Sequence, residues 1–148
     1  MSRTTAGKSL LTLLMGIFVP LNVFFDWNQT HVFNPAWPPH ARFHAAFLSV
    51  FIWSVLGIAI WLLWRRTAEP EVGVRVAALV VLAIWTPFFY LSLLVPGTSI
   101  AGGEPPGTVP IKIGETVIEP QLIAAVFFLL LTAWGYRLAI RPPASRTN

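Results

Sequence analysis

Four apolar runs constrain this chain more than anything else in it. They fall at about 9–25, 41–64, 76–95 and 121–140. Residues 45–64 hold no charge over twenty positions. As a helix rising 1.5 Å per residue they reach roughly 30 Å, the thickness of a bilayer's hydrocarbon core. Only 11% of the 148 residues are charged and 55% are hydrophobic, against about 25% charged in ordinary soluble domains. A soluble fold of this size has no interior large enough for that surface, so lipid must cover it. The expected fold class is all-α integral membrane. It is a single four-transmembrane-helix bundle over residues 1–148, with two extended loops on one face.

Local signals refine the spans. The first run follows Arg3 and Lys8 and resembles a signal peptide. It ends Val-Phe-Phe-Asp-Trp without a small-residue cleavage site, so it reads as a retained helix. Pro20 and Pro87 are expected to kink their helices, because proline removes a backbone donor and clashes one turn back. Trp37-Pro38-Pro39 reads as a helix start, since proline is tolerated in the first turn. The second helix is therefore expected from about Pro39 to Trp64. Residues 109–118 alternate apolar and polar about Gly114, which predicts a small β-hairpin in the second loop.

Charge gives orientation. Arg3, Lys8, Arg65, Arg66, Arg75, Arg137, Arg141 and Arg146 fall on one side of such a bundle, and only Arg42 and Lys112 on the other. By the positive-inside rule both termini are cytoplasmic. The membrane is the plasma or inner membrane if the cell is bacterial, and both long loops lie on its outer face. The net charge of +4 belongs to this asymmetry. No basic helix with interleaved aromatics is present, so nucleic acid is excluded as a partner. The absence of cysteine excludes disulfides and thiolate metal sites. Within the spans, away from their ends, there is no Asp, Glu, Lys, Arg or His apart from Arg137 near an exit, which argues against a proton-coupled pump.

The chemistry-bearing residues gather in the first loop. Residues 26–44 hold all three histidines, three prolines, two tryptophans, Asp26 and Arg42. Asp26, His31, His40 and His44 are the candidate catalytic residues. His40 and His44, four apart, share a helical face. A helix's first turn carries partial positive charge, which favours the neutral imidazole needed by a base or a metal ligand. The same four residues are the candidate ligands of a divalent transition metal, since two to three imidazoles and a carboxylate suit Zn, Fe or Cu without fixing which. Asn34, Trp37 and Arg42 are the candidate substrate-binding residues, Arg42 for an anionic group. Glu104, Glu115 and Glu119 share that face. The blander reading makes the loop a stiff lid, with Asn28, Thr30 and Asn34 satisfying turns and the tryptophans at headgroup level.

The stretch resembles a group of small four-helix membrane proteins of unknown function. They carry D-W-N-x-T-H-x-F-N-P-x-W-P-x-H-A-x-F-H after their first span. More distantly, the layout resembles emopamil-binding and sterol-isomerase-like proteins, which hold lipophilic ligands between four helices. The acidic residues which that family carries within its bundle have no counterpart here.

Two functions follow as expectations. One is an outer-face enzyme or binding protein for a lipophilic small molecule, in contact with membrane lipids. The other is a non-catalytic accessory or scaffold subunit, docking a membrane-protein partner or a second copy. They differ in whether at least three of Asp26, His31, His40, Arg42 and His44 converge on one pocket.

Overall fold

The computed structural model describes residues 1–100, 111–114 and 116–140. Four of its helices are long and apolar enough to cross a membrane. Helix α1 (Arg3–Asp26) begins at Ser2, whose hydroxyl accepts from the Thr5 amide at 3.1 Å. That cap starts the helix six residues before the expected span and draws Arg3 and Lys8 into it. It continues through Pro20 as one helix.

Helix α2 (Pro39–Trp64) starts and stops where expected, with Pro39 in its first turn. Helix α3 (Pro70–Trp85) departs from expectation at both ends. Pro70 supplies a preset φ and Glu71 a first-turn carboxylate, so the helix starts at residue 70 instead of 76. Pro87 cannot donate a backbone bond, and the chain tightens there into a 3-10 turn, Thr86–Phe89. A short α4 (Leu91–Leu94) follows, so the third span is not one helix to residue 95.

The hairpin is present. Strand β1 (Ile111–Ile113) pairs antiparallel with β2 (Thr116–Ile118), Ile111 facing Ile118 and Lys112 facing Val117. Gly114 turns the chain at φ +61°, which costs glycine little. Helix α5 (Pro120–Ala139) closes the bundle. Arg141, Arg146, Glu104, Glu115 and the first residues of the expected hairpin lie outside the described residues.

The helices form a ring, α1 beside α2 and α5, and α3 beside α2 and α5. At what we call the terminal end, α1 and α3 begin while α2 and α5 finish. Two crossings there run backbone on backbone. A Cβ on Gly7 would lie 2.4 Å from the Ala139 nitrogen, and one on Gly73 2.3 Å from the Leu62 carbonyl oxygen. Small residues permit this approach and tie the helices by packing alone. Lys8 reaches across to the Leu63 carbonyl at 2.8 Å, and the Trp64 indole donates to the Thr12 hydroxyl at 2.8 Å.

Leu11, Met15, Leu56, Leu63, Val74 and Val81 fill the core above these crossings. Trp85 seals it, stacked on Phe128 at 4.4 Å and met edge-on by Phe18 at 5.9 Å. Ser49 and Thr132 are buried and spend their hydroxyls on carbonyls one turn back, so neither forms part of a conduit. Phe47, Leu79, Leu130 and many other large apolar side chains face outward. The opposite, motif end carries residues 26–44.

Candidate functional site

At the motif end a chain of polar contacts joins α1, α2 and the loop between them. Its innermost member is Trp53, on α2. An indole nitrogen can only donate, and that of Trp53 donates to Oδ1 of the buried Asn22 at 2.9 Å. This fixes the Asn22 amide, leaving its nitrogen to donate to Oδ2 of Asp26, one turn further along α1. Trp27 stacks on Trp53 at 5.4 Å and screens the chain.

The loop then folds back on the helix. The Val32 amide bonds the Asp26 carbonyl at 3.0 Å, and the Val32 side chain is buried. Asn28 closes the end of α1, donating to the carbonyls of Phe24 at 2.9 Å and Phe25 at 2.8 Å. Its Oδ1 accepts from the Thr30 amide at 2.7 Å and the Thr30 hydroxyl at 2.6 Å. Replacing Asn28 by alanine therefore releases both the helix end and the loop. The expected loss is about 1–2 kcal/mol, read as a lower melting temperature in detergent. An unchanged melt would show that the loop is held elsewhere.

These contacts set the tautomer of His31. The Thr30 proton goes to Asn28, so Thr30 Oγ1 accepts from Nδ1–H of His31 at 2.8 Å. Nε2 is left as the exchangeable nitrogen, and it faces Oδ1 of Asp26 at 4.0 Å. Trp37 holds the imidazole from the side, ring to ring at 5.4 Å. A gap of 4.0 Å is too long for a direct hydrogen bond. It is the right width for an oxygen that touches both groups at about 2.8 Å from each. A hydroxyl placed there meets a carboxylate on one side and an imidazole on the other, which is an acid–base pair.

The other residues of the stretch distribute as follows. Asn34 is spent on the loop, donating to the Thr30 carbonyl at 3.2 Å and accepting from the Ala36 amide at 2.9 Å. His40 and His44 form a separate exposed pair, their Nε2 atoms 2.9 Å apart. Among the described residues no three His, Cys, Asp or Glu side chains cluster closely enough to hold a metal. The four expected ligands thus divide into Asp26–His31 and His40–His44, because the second pair rides on α2 and the first on the end of α1 and its loop.

Three buried polar atoms lack a partner among the described residues: Trp27 Nε1, Arg42 Nε and Gln121 Oε1. All three belong to helix ends on the motif side. Unpaired buried groups cost about 1–3 kcal/mol each, which a ligand's polar head would recover. The sequence pattern points to Asp26, His31 and Arg42, but it gives no functional sign of Trp53, Thr30 or Gln121. The Asn22–Asp26 spacing is visible in it, whereas the Trp53 bond exists only once α1 and α2 pack. A cavity of about 580 Å³ lies at the terminal end, lined among others by Lys8, Glu69, Glu71 and Arg75. Its charges are of both signs and largely offset one another.

Fold and site together define a small bundle of four helices, each long and apolar enough for a membrane, with a polar network knitted into one end. The chain belongs to a family of unknown function (DUF6640), whose profile matches residues 14–146. No curated protein and no solved structure matches it.

Proposed function

We propose that this is an integral membrane protein that binds a lipophilic molecule at the motif end and has, in Asp26 and His31, the groups to move a proton on its polar head. The observation that carries this reading is the 4.0 Å gap between Asp26 Oδ1 and His31 Nε2, with both residues held by outer partners. Arg42, Trp27 and Gln121 offer further unmet donors and an acceptor at the same end of the bundle. Charge asymmetry supports an outer-face site, with both termini cytoplasmic. The four-helix layout resembles that of the emopamil-binding proteins, whose ligands are lipophilic.

A diazirine-bearing long-chain alcohol tests the proposal in lipid nanodiscs. In the wild type, mass spectrometry should place the label on α1, the loop and α2 around Trp27 and Trp53. Asp26→Leu and His31→Leu should abolish that focus, while His40→Gln leaves it. Labelling spread evenly over the lipid-facing surface, and indifferent to these substitutions, would sink the reading.

The accessory-subunit reading is favoured by one observation. Phe43, Phe47 and Phe51 stack along an exposed face of α2, at 6.1 and 6.4 Å, as a ready contact surface. Even labelling together with a co-purifying membrane protein would decide for it.

A further inference from the structure

The first two turns of α2 carry a feature that the Asp26–His31 site does not use. His40 and His44 stand one helical turn apart, both exposed, with their Nε2 atoms 2.9 Å apart and their rings nearly perpendicular at 88°. Two neutral imidazoles meet this way through an N–H···N bond. The same spacing is that of two ligands on one metal ion. With metal–nitrogen bonds of about 2.05 Å, two nitrogens at a right angle on the metal lie about 2.9 Å apart, and two at a tetrahedral angle about 3.3 Å. Either spacing is a small side-chain rotation from the observed 2.9 Å, and two imidazoles one turn apart can take neighbouring positions in the tetragonal geometry of Cu(II) and Ni(II).

We propose that His40 and His44 form a two-histidine site for a divalent transition metal of tetragonal preference, Cu(II) ahead of Ni(II). Three features support it. The i, i+4 spacing puts both side chains on one helical face without rearrangement of the backbone. Both rings are exposed, so an ion reaches them directly. Among the described residues no third His, Cys, Asp or Glu groups with them, so water or an incoming ligand would fill the remaining positions. A site of that kind is open and exchangeable, suited to taking up or passing on an ion.

This site is independent of the Asp26–His31 reading, and the test keeps the two apart. The full chain, purified in detergent without a histidine tag, is titrated with Cu(II) and followed by electron paramagnetic resonance and calorimetry. One Cu(II) per chain is expected, with nitrogen hyperfine structure. His40→Gln or His44→Gln alone should weaken binding roughly a hundredfold, since the second imidazole binds intramolecularly. Asp26→Asn and His31→Gln should leave it unchanged, and Ni(II) should bind more weakly than Cu(II).

A second measurement needs no variant. Cu(II) should protect His40 and His44, and not His31, from acylation by diethyl pyrocarbonate. Absence of saturable Cu(II) binding, equal affinity in the single variants and the wild type, or protection of His31 instead would each overturn the site and leave an ordinary hydrogen-bonded pair.

Discussion

Gly73→Ala is expected to be the most damaging single-methyl change in the protein. The added carbon would sit 2.3 Å from the Leu62 carbonyl oxygen and 2.8 Å from its carbon. Those are backbone atoms of a neighbouring helix, which no side-chain rotation can move aside. Overpacking costs about 1–3 kcal/mol even where side chains yield, so the effect should reach the top of that range. Gly7→Ala meets the Ala139 nitrogen and the Gly135 carbonyl and should behave alike.

Gly16 and Gly57 provide the control. A Cβ at either finds nothing within 4 Å, so alanine there should be neutral or add up to about 1 kcal/mol by restricting the unfolded chain. Melting temperatures of the four variants in one detergent check all of this. Equal behaviour of the two pairs would show that the crossings are not backbone-tight.

Asn22→Leu is expected to cost nearly as much, for a different reason. It strands the Trp53 indole N–H and removes a donor from Asp26. Leaving a buried polar group unsatisfied costs about 1–3 kcal/mol, and here two partners are affected. Trp53→Phe alone leaves Asn22 Oδ1 without its donor. Because the two residues share one bond, the double variant should cost less than the single costs added together, by about 0.5 kcal/mol or more. Strict additivity of the melting shifts would mean that the bond contributes nothing to stability. The same variants should disturb the placement of the diazirine label, since Asn22 sets the position of the Asp26 carboxylate.

The layout of the chain is largely legible in its residues. An uncharged, mostly apolar run of twenty residues admits few folds, and Pro39 and Trp64 mark the ends of α2 by local chemistry alone. Alternation and Gly114 likewise suffice for the hairpin. The parts that are not legible are those where signals compete. Residues 70–75 look like a charged loop, yet Pro70 and Glu71 together make a good helix start, and an ion pair of Glu71 with Arg75 at 3.4 Å follows one turn on. At the other end of the same span, hydropathy continues to residue 95, while the helix gives way to a 3-10 turn around Pro87, as α1 does not at Pro20.

The candidate site is half legible. Asp26 and His31 can be named from residue type and proximity. His40 and His44 can be paired with each other from helical spacing, but not separated from Asp26 and His31, because that separation is set by the angle at which the loop leaves α1. Asn34 shows how a polar side chain in a promising stretch can belong entirely to the backbone. Its two turn bonds are within reach of the sequence, since asparagine two residues before an amide often closes such a turn. Trp53 shares its helical face with Ser49, whose hydroxyl is spent on the Ala45 carbonyl, and gives no local sign of its bond to Asn22.

The glycine crossing at Gly7 and Gly135 has a consequence for biosynthesis. Gly7 stands in α1 and Gly135 in α5, so the ring has a seam between helices far apart in sequence. That seam cannot form until α5 has left the ribosome. Until then the first helix is held by α2 and α3 alone, with its glycine groove open to whatever surrounds it. The nascent protein is thus an incomplete ring until α5 emerges, and α5 is the helix that locks α1 in place.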